Sequence, residues 1–379
     1  MAARAVVRGS GRAATGSAGV LSRRALNRAL LERQMLLRRA ELSPDAAIGR
    51  LVGMQAQSPN APYVGLWTRL EGFRTDDLAA LLLERRAARI VLMRGTVHLV
   101  TAADCLELRP LMAPVLEQQL RGSPYGKRLA GLDVDAVVAA GRELLEDQPA
   151  TITNAGKVLQ ERWPGADPES VAHALRAGLA LVQVPPRGVW GKGGLPLCTT
   201  AEHWLGRPLA AQPSADEVML RYLAAFGPAS VADVQAWSGL TRLREVAERL
   251  RPRLRTFRDE QGSELLDVPD APLPDPGTPA PVRYLPEYDN TLLSHADRTR
   301  IVTPEQGRRV FTRGALLVDG FVRGAWNIRT ARGTATLRVE AFAALDAAER
   351  AEVEEEGGRL LSFAAADGKG REIELTVGG

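Results

Sequence analysis

Apolar residues recur along this chain at two spacings, and the order in which the spacings alternate repeats. Leu26, Leu30, Leu31, Met35, Leu36 and Leu37 fall at the intervals of an amphipathic helix ending near Arg39. Ser43-Pro44-Asp45 offers an N-cap and an N1 proline for a second helix, along which Ala47, Ile48, Leu51, Val52 and Met54 form the apolar face. Two short helices over 63–73 and 76–87 follow. The pattern then changes to Arg89-Ile90-Val91-Leu92-Met93-Arg94, a glycine, and Thr96-Val97-His98-Leu99-Val100, which predicts two strands around a turn.

Helices followed by a β-hairpin are the order of a winged helix, and the order returns twice. Helices over 135–145, 152–163 and 169–179 precede a strand at 181–184, a glycine-rich turn over 185–194 and Leu195-Pro196-Leu197-Cys198. Helices over 215–226, 230–237 and 241–250 precede strands at 254–257 and 264–268, with Ser230 and Asp233 placed as a variant capping box. Prolines crowd 269–281, which reads as a linker. Beyond it, strand-like runs recur between glycines, interrupted by an acidic helix over 346–361. The expected fold class is α+β: three tandem winged-helix units, 21–122 (with a connecting helix), 123–212 and 213–268, then a linker and a small antiparallel barrel or curled sheet over 282–379.

Composition narrows the function classes without choosing one. Arg4, Arg8 and Arg12, with no acid before residue 20, suggest a disordered basic arm or the remnant of a misassigned start. A net charge of +4 permits an anionic partner but does not demand one. Cys105 and Cys198 lie far apart, so a reducing cytoplasm is expected. His98, His173, His203 and His295 form no pair at zinc-ligand spacing. No apolar run approaches the ~20 residues of a membrane helix. The glycine-rich turn lacks the Ser or Thr of a phosphate-binding loop after Lys192. Its Arg187 and Lys192 are placed either to touch phosphates or to sit in a solvated turn. Trp67, Trp163, Trp204 and Trp237 lie among apolar residues at helical spacing and are expected in the core.

The unusual local feature is Gly53-Met54-Gln55-Ala56-Gln57-Ser58-Pro59. Pro59 disfavours helix at Ser58, and in an unwinding last turn both amides would face one cavity. Local chemistry alone leaves Gln55 and Gln57 open between a functional pair and a solvated helix end.

Four stretches together resemble a known family, the bacterial winged-helix DNA glycosylases of the AlkZ and YcaQ type, over roughly residues 21–302. They are Gly53 to Pro59; Met93-Arg94-Gly95-Thr96-Val97-His98-Leu99-Val100; Phe226-Gly227-Pro228-Ala229-Ser230 with Asp233 and Trp237; and Leu285-Pro286-Glu287-Tyr288-Asp289-Asn290-Thr291-Leu292-Leu293-Ser294-His295. The YcaQ branch carries aspartate where this chain has Gln57. The two-glutamine form resembles the AlkZ branch, whose members protect antibiotic producers, azinomycin makers among them, from their own DNA alkylators.

The resemblance implies a monofunctional enzyme hydrolysing the N-glycosidic bond of N7-alkylguanine in duplex DNA, bulky or crosslinked adducts included. It implies catalytic Gln55 and Gln57, an open concave channel, no metal or organic cofactor, and a monomer. N7 alkylation makes the base cationic, so no general acid is needed, and amides can accept a hydrogen bond from water. Candidate DNA contacts are Arg94, Thr96, His98, Arg187, Lys192, Asp289, Asn290, His295 and Arg298. For these the structural readings stay open: His98 as the cap of a buried strand, and the 289–298 loop as a hydrogen-bond network. The rivals are a winged-helix transcription regulator and a non-enzymatic lesion-binding protein.

Overall fold

The computed structural model describes residues 19–366 and 370–378. The first helix, Arg23–Arg33, ends well before Arg39. Met35 takes a left-handed φ of 57°, and Leu36 N–H and Met35 N–H close back on the Leu31 and Glu32 carbonyls at 2.8 and 3.0 Å. These are the paired bonds of a Schellman cap. Leu36 and Leu37 still reach the core, but by way of a turn that periodicity does not distinguish from helix.

The second helix, Pro44–Arg50, ends in the same way. Val52 and Gly53 have φ of 54° and 86°, and their N–H groups return to Gly49 and Ile48 at 3.1 and 3.0 Å. This corrects the expected setting of the glutamines. The helix is capped before them, and Gln55 lies in a short strand instead of an unwinding turn.

Helices-then-hairpin order recurs, but the first two hairpins are not separate. Strands β1 (Val20–Leu21), β2 (Met54–Gln55), β3 (Ala87–Val91), β4 (Val97–Thr101), β5 (Leu181–Gln183) and β6 (Cys198–Thr200) precede the third helical set. One five-stranded sheet runs β2-β4-β3-β5-β6, joined where Arg89 and Ile90 pair with Gln183 and Val182. The pairing covers an edge that β3 would otherwise expose. Between β4 and β5 lies the 21-residue helix Ala102–Gly122.

The third hairpin, β7 (Arg255–Asp259) and β8 (Glu264–Asp267), takes β1 as a parallel third strand. The expected basic arm therefore ends before Val20, and residues 1–18 lie outside the described residues.

The C-terminal strands are β9 (Arg283–Leu285), β10 (Gly314–Val318), β11 (Phe321–Ala331), β12 (Thr334–Ala341) and β13 (Gly370–Val377). They form an open sheet in the order β13-β12-β11-β10-β9, with no edge-to-edge closure among the described residues. Of the antiparallel barrel or curled sheet expected there, the barrel is corrected, and the sheet is not wholly antiparallel. The helix Ala347–Ala364 carries the chain back between β12 and β13, so that pair is parallel, as a crossover requires.

The first helix ties these parts together. Asn27 donates to the Arg300 and Gly320 carbonyls at 2.9 and 2.8 Å. Arg24, Arg28 and Arg33 donate to linker carbonyls at Pro276, Thr278 and Pro272. Arg33 also meets Asp267 through two bonds of 2.7 and 2.8 Å, with neither side chain exposed. Among the described residues no helix is long and apolar enough to cross a membrane.

Candidate active site

The segment from Gly53 to Gln57, which contains the edge strand β2, is held from three directions. Along its length it pairs with β4, with Met54 opposite Leu99 and Gln55 opposite His98, and Ala56 N–H donates to Val97 O at 2.8 Å. From β3, the buried Arg89 sends Nη2 to the Ala56 carbonyl at 2.8 Å and Nε to Gln183 Oε1 at 3.3 Å. From the C-terminal half, Asn290 Nδ2 donates to the Gly53 carbonyl at 3.3 Å. Gly53 is required twice over. Its φ of 86° suits glycine, and a Cβ there would lie 2.6 Å from Val100 Cγ1.

Gln55 is the last residue of β2, and Gln57 lies two residues on, in the bend that follows. Gln55 is buried and Gln57 exposed. Gln55 Oε1 accepts Gln57 N–H at 3.1 Å, and Gln57 Oε1 accepts Val97 N–H at a long 3.5 Å. Neither side-chain NH2 has a protein acceptor among the described residues. Behind Gln55 a cavity of about 10 Å³ is bounded by Gln34, Gly53, Arg69, Asp289 and Asn290. That is room for about one water.

His98, the cross-strand partner of Gln55, is fully buried. Its Nδ1 lies 3.0 Å from the Thr96 carbonyl, so Nδ1 carries the proton, and Nε2 has no partner. Burial, and then the charge of Arg94, push its pKa down to about 3. The ring is neutral at physiological pH and is not a ready proton donor.

Several residues expected at the DNA surface lie inside. Asp289 is gripped by Arg69 through two bonds of 2.8 and 2.9 Å. Burial alone would raise its pKa, but Arg69 and the Thr291 hydrogen bonds hold it below the ordinary carboxylate range. Arg69 also reaches Thr291 Oγ1 at 2.9 Å. His295 bonds Ser294 Oγ and the Phe226 carbonyl at 2.9 and 3.1 Å, and burial keeps it neutral.

Arg94, at the tip of the β3–β4 hairpin with φ 58°, donates to Trp237 O at 2.8 Å and to Asn290 Oδ1 at 3.0 Å. Burial lowers its pKa to about 10, which leaves it charged. Asn290 therefore clips the hairpin tip to the turn that launches Gln55. Thr96 is half-buried with its hydroxyl on Met93 O. Arg187 is half-buried, bonding Gly194 O at 3.1 Å, whereas Lys192 and Arg298 are exposed.

Sequence reasoning missed Arg69 and Arg89. Both stand in helical or strand patterns like any arginine, and their partners are distant in the chain. Trp237 is fully buried, as expected of core. No group of three or more His, Cys, Asp or Glu able to hold a metal occurs among the described residues.

Two neutral amides, fixed by backbone bonds and flanked by a neutral imidazole, can orient a small molecule but cannot readily deprotonate it. Comparison with known proteins gives this arrangement its context. An interstrand DNA cross-link repair glycosylase of Streptomyces sahachiroi is 23% identical over 333 residues, covering 79% of this chain and 85% of that protein. The solved structure of the Streptomyces sahachiroi DNA glycosylase AlkZ superposes with a TM-score of 0.75 at 20% identity, over 94% of this chain and all of that one. The family model for DNA glycosylase AlkZ-like proteins matches residues 48–363, which include both glutamines, the hairpin and the Asp289–Asn290 turn. The chain therefore belongs to the AlkZ-like DNA glycosylase family.

Proposed function

We propose that this glycosylase hydrolyses the N-glycosidic bond of N7-alkylguanine in duplex DNA, bulky and crosslinked adducts included, with a water oriented by Gln55 and Gln57. The observation that carries the reading is the neutral amide pair, Gln55 at the end of the edge strand and Gln57 in the bend after it, joined by the bond from Gln57 N–H to Gln55 Oε1. A guanine alkylated at N7 is already cationic and leaves without being protonated. The remaining task is to hold water near C1′ as positive charge grows on the sugar, and positioning can supply much of a barrier reduction. Amide oxygens accept from that water and amide NH2 groups hold its other side or the sugar. Unmodified purines, which need a general acid, should be poor substrates.

Arg94 and Asn290 act in this reading as positioning residues, and Arg187, Lys192 and Arg298 supply cations toward phosphates. The helix–hairpin repeats act as three winged helices along an open channel, of which two share a sheet. The cross-link repair named for the Streptomyces relative supports a role in self-resistance to a DNA-alkylating antibiotic. A cytoplasmic monomer without cofactor completes the proposal. A DNA-binding regulator has less support: Arg242, at the head of the helix best suited to read bases, is tied to Glu245 by two bonds of 3.0 Å.

The test is incubation with duplex containing N7-methylguanine, followed by hot alkali. Wild type should produce strand breaks at the lesion, and Gln55→Ala with Gln57→Ala should produce almost none. Equal breakage by both proteins would sink the assignment. Excision from a saturated complex should also be flat from about pH 6 to 9, because neither amide titrates.

A further inference from the structure

A second concavity is formed by the chain that follows the Tyr288–Asn290 turn, between Ala296 and Phe311. It encloses about 490 Å³ and is lined by Ala296, Arg298, Val302, Pro304, Arg308 and Phe311, among others. Its size is that of a small-ligand site. Phe311 is 59% exposed, unusual for so large an apolar ring. It is held edge-to-face by Tyr288 at 5.7 Å and 86°, so its position is set by packing. Tyr288 itself has a φ of 59° and immediately precedes Asp289, which bounds the small cavity.

The two arginines are the second observation. Arg298 and Arg308 are both exposed. Among the described residues neither makes an ion pair or a side-chain hydrogen bond. Their neighbours behave otherwise: Arg300 donates to Pro228 O, and Arg309 and Arg313 both pair with Glu340. The one acid in the lining, Asp297, is turned to Thr299, accepting from its N–H and hydroxyl at 2.9 and 3.0 Å. The concavity thus joins an apolar wall and a fixed aromatic ring with two unneutralised guanidinium groups. That chemistry suits a flat heteroaromatic ring carrying phosphates, and it adjoins the turn that supports the glutamines.

We propose that this concavity is a nucleotide subsite of the DNA channel, where one unstacked base beside the lesion lies against Phe311 and its flanking phosphates meet Arg298 and Arg308. The proposal rests on the glycosylase reading for its ligand. A lesion tied to both strands cannot swing freely into a pocket, so a neighbouring nucleotide that leaves the stack gives the protein another hold on the strand. Stacking tolerates any base because every base offers a π-face, while guanidinium groups fix the backbone without reading sequence.

The test is fluorescence anisotropy of the full chain on two duplexes carrying a stable tetrahydrofuran abasic analogue, one fully paired and one with a single bulged nucleotide beside it. Phe311→Ala should weaken binding to the bulged duplex about tenfold and to the paired duplex much less, and Phe311→Trp should restore it. Arg298→Gln and Arg308→Gln should each lower the salt slope of binding by about 1. Unchanged affinity of Phe311→Ala for the bulged duplex, an equal loss on both duplexes, or unchanged salt slopes would overturn the subsite. Wild-type excision of N7-methylguanine, run in parallel, keeps the two ideas apart. Failure to excise removes the glycosylase reading and leaves the anisotropy result to stand or fall on its own.

Discussion

Two pairs of arginines sit around the first helices, with Arg33, Arg69 and Arg89 buried and Arg94 half-buried, and the pairs are satisfied in opposite ways. Arg33 and Arg69 each grip a carboxylate, Asp267 and Asp289, through two bonds. Buried Arg89 and half-buried Arg94 meet neutral oxygens only: Ala56 O and Gln183 Oε1 for one, Trp237 O and Asn290 Oδ1 for the other. The carboxylate pairs join chain segments and cancel their own charge. The carbonyl-bound pair lies beside the glutamine strand and leaves its charge uncancelled. Burial lowers both pKa values to about 10, so both stay protonated at neutral pH. The difference separates a part that holds the molecule together from a part that leaves positive charge beside the glutamines.

The sharpest way to break the comparison is Arg69→Met. It strands the Asp289 carboxylate in the interior, and the loss of stability should be about 3–5 kcal/mol, read by urea denaturation. Arg69→Met with Asp289→Leu should recover much of it, because removing both charges removes the orphan.

Arg89→Met should cost less, about 1–3 kcal/mol, since what it orphans is a carbonyl. Its excision rate should nevertheless fall more than its stability, because that carbonyl belongs to Ala56, between the two glutamines. A stability loss as large as that of Arg69→Met would erase the distinction. Gly53→Ala should destabilise by about 1–3 kcal/mol through its left-handed backbone, with thermal melting as the measure, and should displace the glutamines as well.

The last effect appears only at acid pH. The folded pKa of His98 is depressed to about 3, below its ordinary value of about 6.5. The unfolded chain therefore binds more protons between those values. Stability from this group is complete above about pH 6.5 and declines as pH falls toward about 3. His98→Leu should flatten that stretch of a stability–pH profile measured by denaturant midpoints.

The sequence made the local elements legible and left the joints between them hidden. Helical periodicity located most helices, because each apolar stripe is a local signal. It misplaced the ends of the first two, where Met35 and Val52 occupy a left-handed position usually given to glycine, and so gave no warning. β2 is too short to alternate visibly, and the sharing of one sheet by β3 and β5 depends on an edge that only the folded chain presents. At the site, Gln55 and Gln57 stood out through resemblance, since paired glutamines are common. Arg69 and Asp289 are 220 residues apart, and nothing local marks either as the other's partner. For Asp289 and His295, both buried, the sequence left DNA contact and a hydrogen-bond network open for the same reason: polarity in a loop reads alike whether it faces solvent or a buried partner.

The first helix has a consequence for how the protein is made. Asn27 and Arg28 find acceptors 273 to 293 residues further along the chain. At a synthesis rate of about 5–20 residues per second, those acceptors leave the ribosome roughly 15–60 s after the helix does. The usual course, in which N-terminal segments fold first and later ones add to them, is thus closed to this helix. Its arginines and the side it packs on the helix at 215–226 wait for partners about 190 to 290 residues on, and over that interval its apolar surface is open to aggregation.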